Sequence, residues 1–509
     1  MQGKKQYQEK LFTNFHLSER IPQENFYRRL KEVLPLQWLY KTTKKYYGSE
    51  GQSSIDPVVF FKLMLIGYLE NLASDRRIIS TVSMRLDMLF FIGYDIDEPL
   101  PWHSTLSRTR QLYGEGVFKE FFRKALSLCI DKGMVAGKRQ AMDSVYVQAN
   151  ASMESLQRKE VLKDVDNYAD ELNGGEEIFP AQEKKEIQNN EAAKENLLSV
   201  ASSGKEPVCN NNQWSKSLSN HMLQSTTDRD ARISVKPGKA RRLNYLAQVS
   251  VDTANHVITH IQSDFADKKD SQCLPSLVLN TINNLSENGL QIEEVLADGN
   301  YSSSEALRLL QHKNIEGYIP NFGQYKPSRR GFEYDKEKDC YICSQGKVLE
   351  YKSIKESHGN GNKMKQYRSS TKDCSSCPLK TKCIGKSPFK TIVVTLDKEL
   401  FEKMEHRLQT SKGKRLKKLR SSTVEPVLGT LVNFLGMRRV HTKGVSVAGK
   451  CMTMAAIAYN LKKLLKWEDK NRQAGAKALQ QSIQAVFLML TGTLNALGCY
   501  YNLAFKNAD

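Results

Sequence analysis

Acidic side chains are the scarce class in this sequence. In 509 residues, 56 Asp and Glu stand against 76 Lys and Arg, which leaves a formal charge of +20 and a pI near 9.3. Such a balance concentrates polyanions at the surface, and nucleic acid is the commonest polyanion. An apolar leader is also missing: "MQGKKQYQEKLF" is charged and has no hydrophobic core region, so no signal peptide is expected. Only residues 482–505 form a long uncharged run, long enough to span a bilayer. Gln484, Asn495 and Asn502 would be costly against lipid, so a buried or partner-facing helix is expected there, not a membrane span. No internal repeat is present, which excludes a solenoid. Evenly scattered cysteines are absent too. Of ten, five fall between Cys340 and Cys383, which suits a metal site in a reducing compartment better than a disulfide framework.

What is present implies several units. Residues 1–135 read as helical. In "IDPVVFFKLMLIGYLENL", Asp56 is a natural N-cap and Pro57 stands where its missing N–H costs nothing. "DRRIISTVSMRLDMLFFIGYD" reads as a second helix. "STLSRTRQLYG" offers Ser104 as a cap and sets Arg108 and Arg110 early in a short basic helix. The pattern is compatible with helix-turn-helix docking on DNA and equally with a helical bundle bearing exposed arginines. From residue 136 to 325 the texture is mixed α/β. "RQAMDSVYVQANAS" is a strand, "LNYLAQVSVDTANHVITHIQSDFA" a hairpin, and two helix–strand pairs come after them. Residues 154–220 interrupt this unit with a polar Lys/Glu/Asn-rich insert too poor in large apolar residues to hold a core. Residues 326–395 form a cysteine-rich β module. Helical periodicity resumes over 396–470, and 471–509 reads as a helical tail.

Three carboxylates stand where chemistry is plausible. Asp143 interrupts an apolar strand, where a charge is costly unless paired or metal-bound. Asp298 ends the apolar run "VLADG", with Gly299 leaving room for a close turn. Glu425, between Thr423 and Pro426, falls at an expected helix start. Carboxylates gathered at one sheet edge repel each other, and hard divalent cations relieve that repulsion. Two such ions are the standard device for in-line displacement at a phosphodiester. Glu425 is bracketed by cations: Lys412, Lys414, Arg415, Lys417, Lys418 and Arg420 before it, Arg438, Arg439 and Lys443 after it. That is the charge a phosphate backbone needs beside metal-binding acids. Separately, Cys374-x2-Cys377-x5-Cys383, with Cys343 about thirty residues upstream, supplies four thiolates for a tetrahedral structural Zn²⁺, and Cys340 is a spare.

"AMDSVYVQANAS", "DGNYSS" and "VEPVLG…GMRRVHTKG…AYNLKKLL", in that order, resemble the DDE transposases of bacterial insertion sequences, within the IS-four/IS-five type and most closely the IS-eleven-eighty-two group. "VVFFKLMLIGYLENLASDRRI" with "PWHSTLSRTR" is similar to that group's N-terminal DNA-binding domain, and "DCSSCPLKTKC" to its cysteine module. The resemblance implies an RNase H-like mixed-sheet catalytic domain in which Asp143, Asp298 and Glu425 hold two Mg²⁺. It implies hydrolysis at the ends of a mobile element and attack of the freed 3′-OH on target DNA. The implied partners are double-stranded terminal repeats and target DNA, the working form at least a dimer, and the setting the bacterial cytoplasm at the nucleoid. Related families carry Tyr, Arg and Lys at fixed offsets around the glutamate; Lys418, Ser421 and Val432 occupy those places here. Two alternatives stay open: a DNA-binding protein that has lost catalysis, and an RNase H-like nuclease without strand transfer.

Overall fold

The computed structural model describes residues 16–48, 50, 54–72, 74–159, 220–234, 240–321, 331–356 and 363–506, with side chains described only in part beyond residue 474. Most of the polar insert expected at 154–220 lies outside these residues. Its two ends meet in a short antiparallel ladder, β2 (Leu156–Arg158) with β3 (Leu223–Ser225), so the excursion leaves and returns at one point.

The N-terminal helices form as the caps dictate. Asp56 accepts from the amides of Val58 and Val59 and starts the helix Pro57–Leu69, which is apolar nearly all round and correspondingly buried. The single helix expected over 75–95 is instead two, Asp75–Val82 and Leu86–Ile92. Arg85 between them adopts an extended backbone and pairs with Glu70 and Asp87. Ser104 is not a cap. The helix His103–Leu112 begins at His103, and the Ser104 hydroxyl accepts from Arg108 instead.

The main sheet is mixed. Its centre is β1 (Arg139–Gln148), flanked on one side by antiparallel β5 (Arg242–Asp252), which in turn pairs with β6 (Ile258–Phe265) and β4 (Arg232–Ser234). On the other side lie parallel β7 (Glu294–Leu296) and β8 (Glu316–Tyr318). The expected hairpin is therefore β5–β6. The parallel strands are reached through the helices Asp270–Ser286 and Ser304–His312, as parallel neighbours require. These helices cover one sheet face in a core built on Met142, Val295, Ala297, Leu274 and Leu307. The other face joins a much larger core running from Tyr27 through the N-terminal helices to Leu465.

Two long helices close that second face. Ser411–Phe434 lies on it through Leu416, Val424, Val427, Leu428 and Leu431. The helix Val445–Lys506 begins where Asp228 and Asp230 accept the amides of Gly444 and Val445. These two aspartates, with Asp252 on the amides of Gly137 and Ala254, are turn and cap residues. Residues 471–506 continue this same helix. Where side chains are described, no helix is long and apolar enough to cross a membrane; residues 482–505 lie beyond them.

Between β8 and the helix Lys398–Gln409 stands a second, five-stranded antiparallel sheet of β9 (Phe332–Asp335), β10 (Cys340–Cys343), β11 (Val348–Glu356), β12 (Lys363–Ser369) and β13 (Thr391–Thr395). It has its own small core of Tyr341, Leu349, Tyr367 and Ile392.

Candidate active site

Strand periodicity fixes where the two aspartates point. The parallel register pairs Arg139 with Glu294 and Ala141 with Leu296. Continued by two residues, it sets Asp143 beside Asp298. Side chains two apart share a face, so Asp143 points the same way as Ala141, and Asp298 the same way as Leu296. Both of those residues belong to the large core on the side of the Ser411–Phe434 helix. β7 stops at Leu296 while β1 runs on to Gln148, so the aspartates lie where β1 loses its parallel neighbour.

The turn immediately after Asp298 holds it in place. The Asp298 carboxylate caps the single turn Gly299–Tyr301, accepting the Asn300 amide at 3.0 Å and the Asn300 side chain at 3.2 Å. Gly299 lacks the positive φ that would demand glycine. Tyr301 is fully buried and donates to Gln248, whose Nε2 donates to Asp270 at 2.8 Å. Gln248 is the register partner of Ser144, on the face opposite Asp143. This chain thus pins the turn from behind. Tyr301 belongs to the "DGNYSS" run, but nothing in the sequence marks Gln248 or Asp270 as its partners. Asp270 reads as an ordinary first-turn acid, and only the register brings Gln248 to it.

Glu425 comes from above. It is not at a helix start: it lies well inside the 24-residue helix Ser411–Phe434, whose N-cap is Thr410. Thr423 does not cap either, being buried with an unpartnered hydroxyl. Pro426 removes one backbone donor and so frees the Ser422 carbonyl. Ser422 is exposed, so water can take that bond and the helix continues. The consequence is that the basic run and Glu425 share one rigid element.

Arg420 links the acids. Its Nη1 donates to Asp143 Oδ2 at 2.8 Å, and its Nη2 lies 3.6 Å from Glu425 Oε1. The guanidinium is mostly buried, with 15% of its side chain exposed, against 19% for Asp143 and 62% for Glu425. Burial pushes the Asp143 carboxyl above its ordinary range; the Ser144 amide and Arg420 oppose this, and Asp298 adds to it. Asp298 is raised for the same first cause, with Asp270 adding to the rise. These are oxygen donors short of positive charge, the chemistry a hard divalent cation satisfies. Among the described residues no three metal-competent side chains meet at ligating distance, and Asp143 and Glu425 share the Arg420 guanidinium instead.

The basic residues divide. Lys414, Arg415, Lys417 and Lys418 are exposed on the outer side of the Glu425 helix. Arg438 and Arg439 are exposed beside the end of β1, where Val440 N donates to Gln148 O at 2.9 Å; Lys443 is exposed in the same loop. Arg108 is exposed on its helix. Besides Arg420, two expected DNA contacts are spent internally. Arg110 is 7% exposed and pairs with Asp75 at 2.5 Å. Lys412 is clamped by Glu294 at 2.5 Å and Glu316 at 3.4 Å, at the end of the parallel strands remote from Asp298. Neither conflict is visible locally, because each partner is far away in sequence.

Cys343, Cys374, Cys377 and Cys383 line one small cavity with Lys347, Lys380 and Lys390, while Cys340 is buried in β10. Cys129, Cys273 and Cys451 are buried packing residues. Cys209 and the Cys499 side chain lie outside the described set.

Comparison with known proteins finds two segments. Residues 15–112 match a transposase domain family, DUF772, and residues 342–465 match a transposase DDE domain family. The second segment contains the four cysteines and Glu425; Asp143 and Asp298 precede it. No curated protein matches the chain. Among solved structures, a Mos1 transposase paired-end complex with left transposon end matches at 10% identity. It covers 59% of this chain and 73% of that one, with a TM-score of 0.15, too low to bear on the fold.

Proposed function

We propose, from the premise that this chain is a DDE transposase of an insertion sequence, that Asp143, Asp298 and Glu425 are its catalytic triad and hold two Mg²⁺. The observation that carries this reading is the strand register that sets Asp143 beside Asp298, with Arg420 bridging Asp143 to the helix glutamate Glu425. An RNase H-like fold is supported by the sheet: an antiparallel meander β1–β5–β6 continued by parallel β7 and β8.

The division of labour comes from where each group is anchored. Asp143 and Asp298 are fixed by the sheet and by the Tyr301–Gln248 tether. Glu425, on an exposed stem, completes the set from the helix side. When bound, the ions supply Lewis-acid polarisation of the phosphodiester and activation of the attacking water or 3′-OH. Lys414, Arg415, Lys417 and Lys418, with Arg438, Arg439 and Lys443, grip the DNA backbone along the same helix and its neighbouring loop. Arg108 extends the DNA path onto the N-terminal helices, which we assign as the end-recognition unit. The working form is at least a dimer, since two element ends must be joined at one target, and it acts on DNA of the nucleoid. We propose a structural Zn²⁺ for Cys343, Cys374, Cys377 and Cys383, which line one cavity but do not meet at ligating distance; native mass spectrometry with metal analysis should return one zinc per chain, lost on their replacement.

The decisive experiment incubates the protein with its element's terminal DNA in Mg²⁺ or Mn²⁺. Cleaved and joined products are expected. Asp143→Asn, Asp298→Asn and Glu425→Gln should each lower product by about a thousandfold or more while end binding persists. Wild-type protein that binds the ends but neither cuts nor joins would instead be a DNA-binding factor, and cutting without joining would make it a nuclease.

A further inference from the structure

Two cations of the basic run are spent on carboxylates, Lys412 at its start on Glu294 and Glu316, and Arg420 at its end on two of the proposed site acids. Lys414, Arg415, Lys417 and Lys418 are exposed, whereas Arg420 turns inward. Its two terminal nitrogens are divided between Asp143 and Glu425, with Nη2 also donating to Ser421 Oγ at 3.2 Å. The carboxylates it touches are two of the three that the proposed function assigns to metal, so the guanidinium and a divalent ion would claim the same oxygens.

The electrostatics make this more than proximity. Asp143 is largely buried and its neighbour Asp298 is also an acid, so an uncompensated pair there is unfavourable. A guanidinium suits the gap: it is planar, permanently charged and weakly hydrated, and it can meet two carboxylates at once. It brings one positive charge, however, whereas a divalent ion brings two.

Resting on the triad reading above, we propose that Arg420 is a displaceable counter-ion. It holds Asp143 and Glu425 in the metal-free enzyme, yields their oxygens when divalent ions bind, and then turns outward to contact a DNA phosphate. The outward position is at hand, because Lys417 lies three residues earlier on the same helix side and is exposed. Metal loading and the supply of one further phosphate contact would then be a single event. The protein would grip its DNA in cleavage register only when the site is charged with metal.

Mn²⁺ binding to the full-length, chelator-treated protein, monitored by electron paramagnetic resonance without DNA, tests this directly. Removing the competing cation with Arg420→Gln should tighten the first Mn²⁺ by about tenfold. Arg420→Met keeps the buried stem if the Gln variant folds poorly, and should do the same. Arg420→Lys, a point charge unable to span both acids, should fall between Gln and wild type. With metal present, Arg420→Gln should also bind element ends less tightly, with a salt slope smaller by about one. Unchanged or weaker Mn²⁺ binding in both Arg420→Gln and Arg420→Met would overturn the displacement idea and make Arg420 a fixed positioning residue. Asp143→Asn separates the two readings. If it leaves Mn²⁺ binding intact, the triad assignment itself fails.

Discussion

At the scale of single residues, the site is built against its own stability. Asp143 and Asp298 are both raised above the ordinary carboxylate range, burial being the first cause in each. A carboxyl raised on folding contributes stability that is fully present below its unfolded value. That contribution is lost as pH rises through the folded value. The metal-free protein should therefore lose stability on going from about pH 4 to neutrality through these two groups. Asp298→Asn preserves the side-chain acceptor that caps the Gly299–Tyr301 turn and removes the charge. In chelator at pH 7 it should melt about 1–2 °C above wild type by calorimetry, with the gap closing at pH 4. A lower melting point at pH 7 would show that the charge is compensated. Ion binding has the opposite sign, because protons and metal compete for the same oxygens. Mn²⁺ affinity should decline in acid at a higher pH than an ordinary aspartate pair would give.

At the scale of elements, the Ser411–Phe434 helix does the placing, and its start is the sensitive point. Thr410 ends the preceding helix Lys398–Gln409 and caps the next, accepting the Gly413 amide at 3.0 Å. The two helices turn so closely that a Cβ on Gly413 would run into the Arg407 carbonyl oxygen and come within 2.7 Å of Leu408 Cα. Backbone atoms cannot step aside as a flexible side chain can. Gly413→Ala should cost about 2–3 kcal/mol in denaturant titration, and it should misplace Arg420 and Glu425 together. A neutral Gly413→Ala would mean that the corner is slack. The Lys412 clamp on Glu294 and Glu316 secures the same corner to the parallel strands.

At the scale of the whole molecule, the +20 charge becomes useful only where it is free. The four exposed cations Lys414, Arg415, Lys417 and Lys418 are one continuous stretch of the proposed DNA path. Their joint replacement by glutamine should weaken end binding and reduce the slope of log affinity against log salt by about 3.6, each of the four phosphate contacts contributing roughly 0.9. Lys412→Gln is the matched control, expected to lower thermal stability and leave the slope alone. An unchanged slope in the fourfold variant would take the helix out of the DNA path. The large core joining the N-terminal helices to one sheet face bears on the same point. End recognition and catalysis would share a continuous scaffold, so DNA held by the first is presented to the second without a flexible joint.

What the sequence determined by itself was local. The strand bearing Asp143, the β5–β6 hairpin, the Asp56 cap and the apolar run before Asp298 all stem from side-chain periodicity and cap chemistry, which act over a few residues. The strand position of Asp143, the strand-end position of Asp298 and the presence of a helix around Glu425 were legible in the same way, though the start of that helix was not. Tertiary structure decided the pairings. It put Asp143 beside Asp298 through strand register and spent Arg110 on Asp75 and Lys412 on Glu294. It also carried one helix straight through Thr423 and Pro426, and selected Arg420 alone from six cations to face the acids. The physical reason is range. Propensity and capping are settled by neighbours along the chain, but the partner of a charge is settled by which distant residue the packed core brings within a few ångströms.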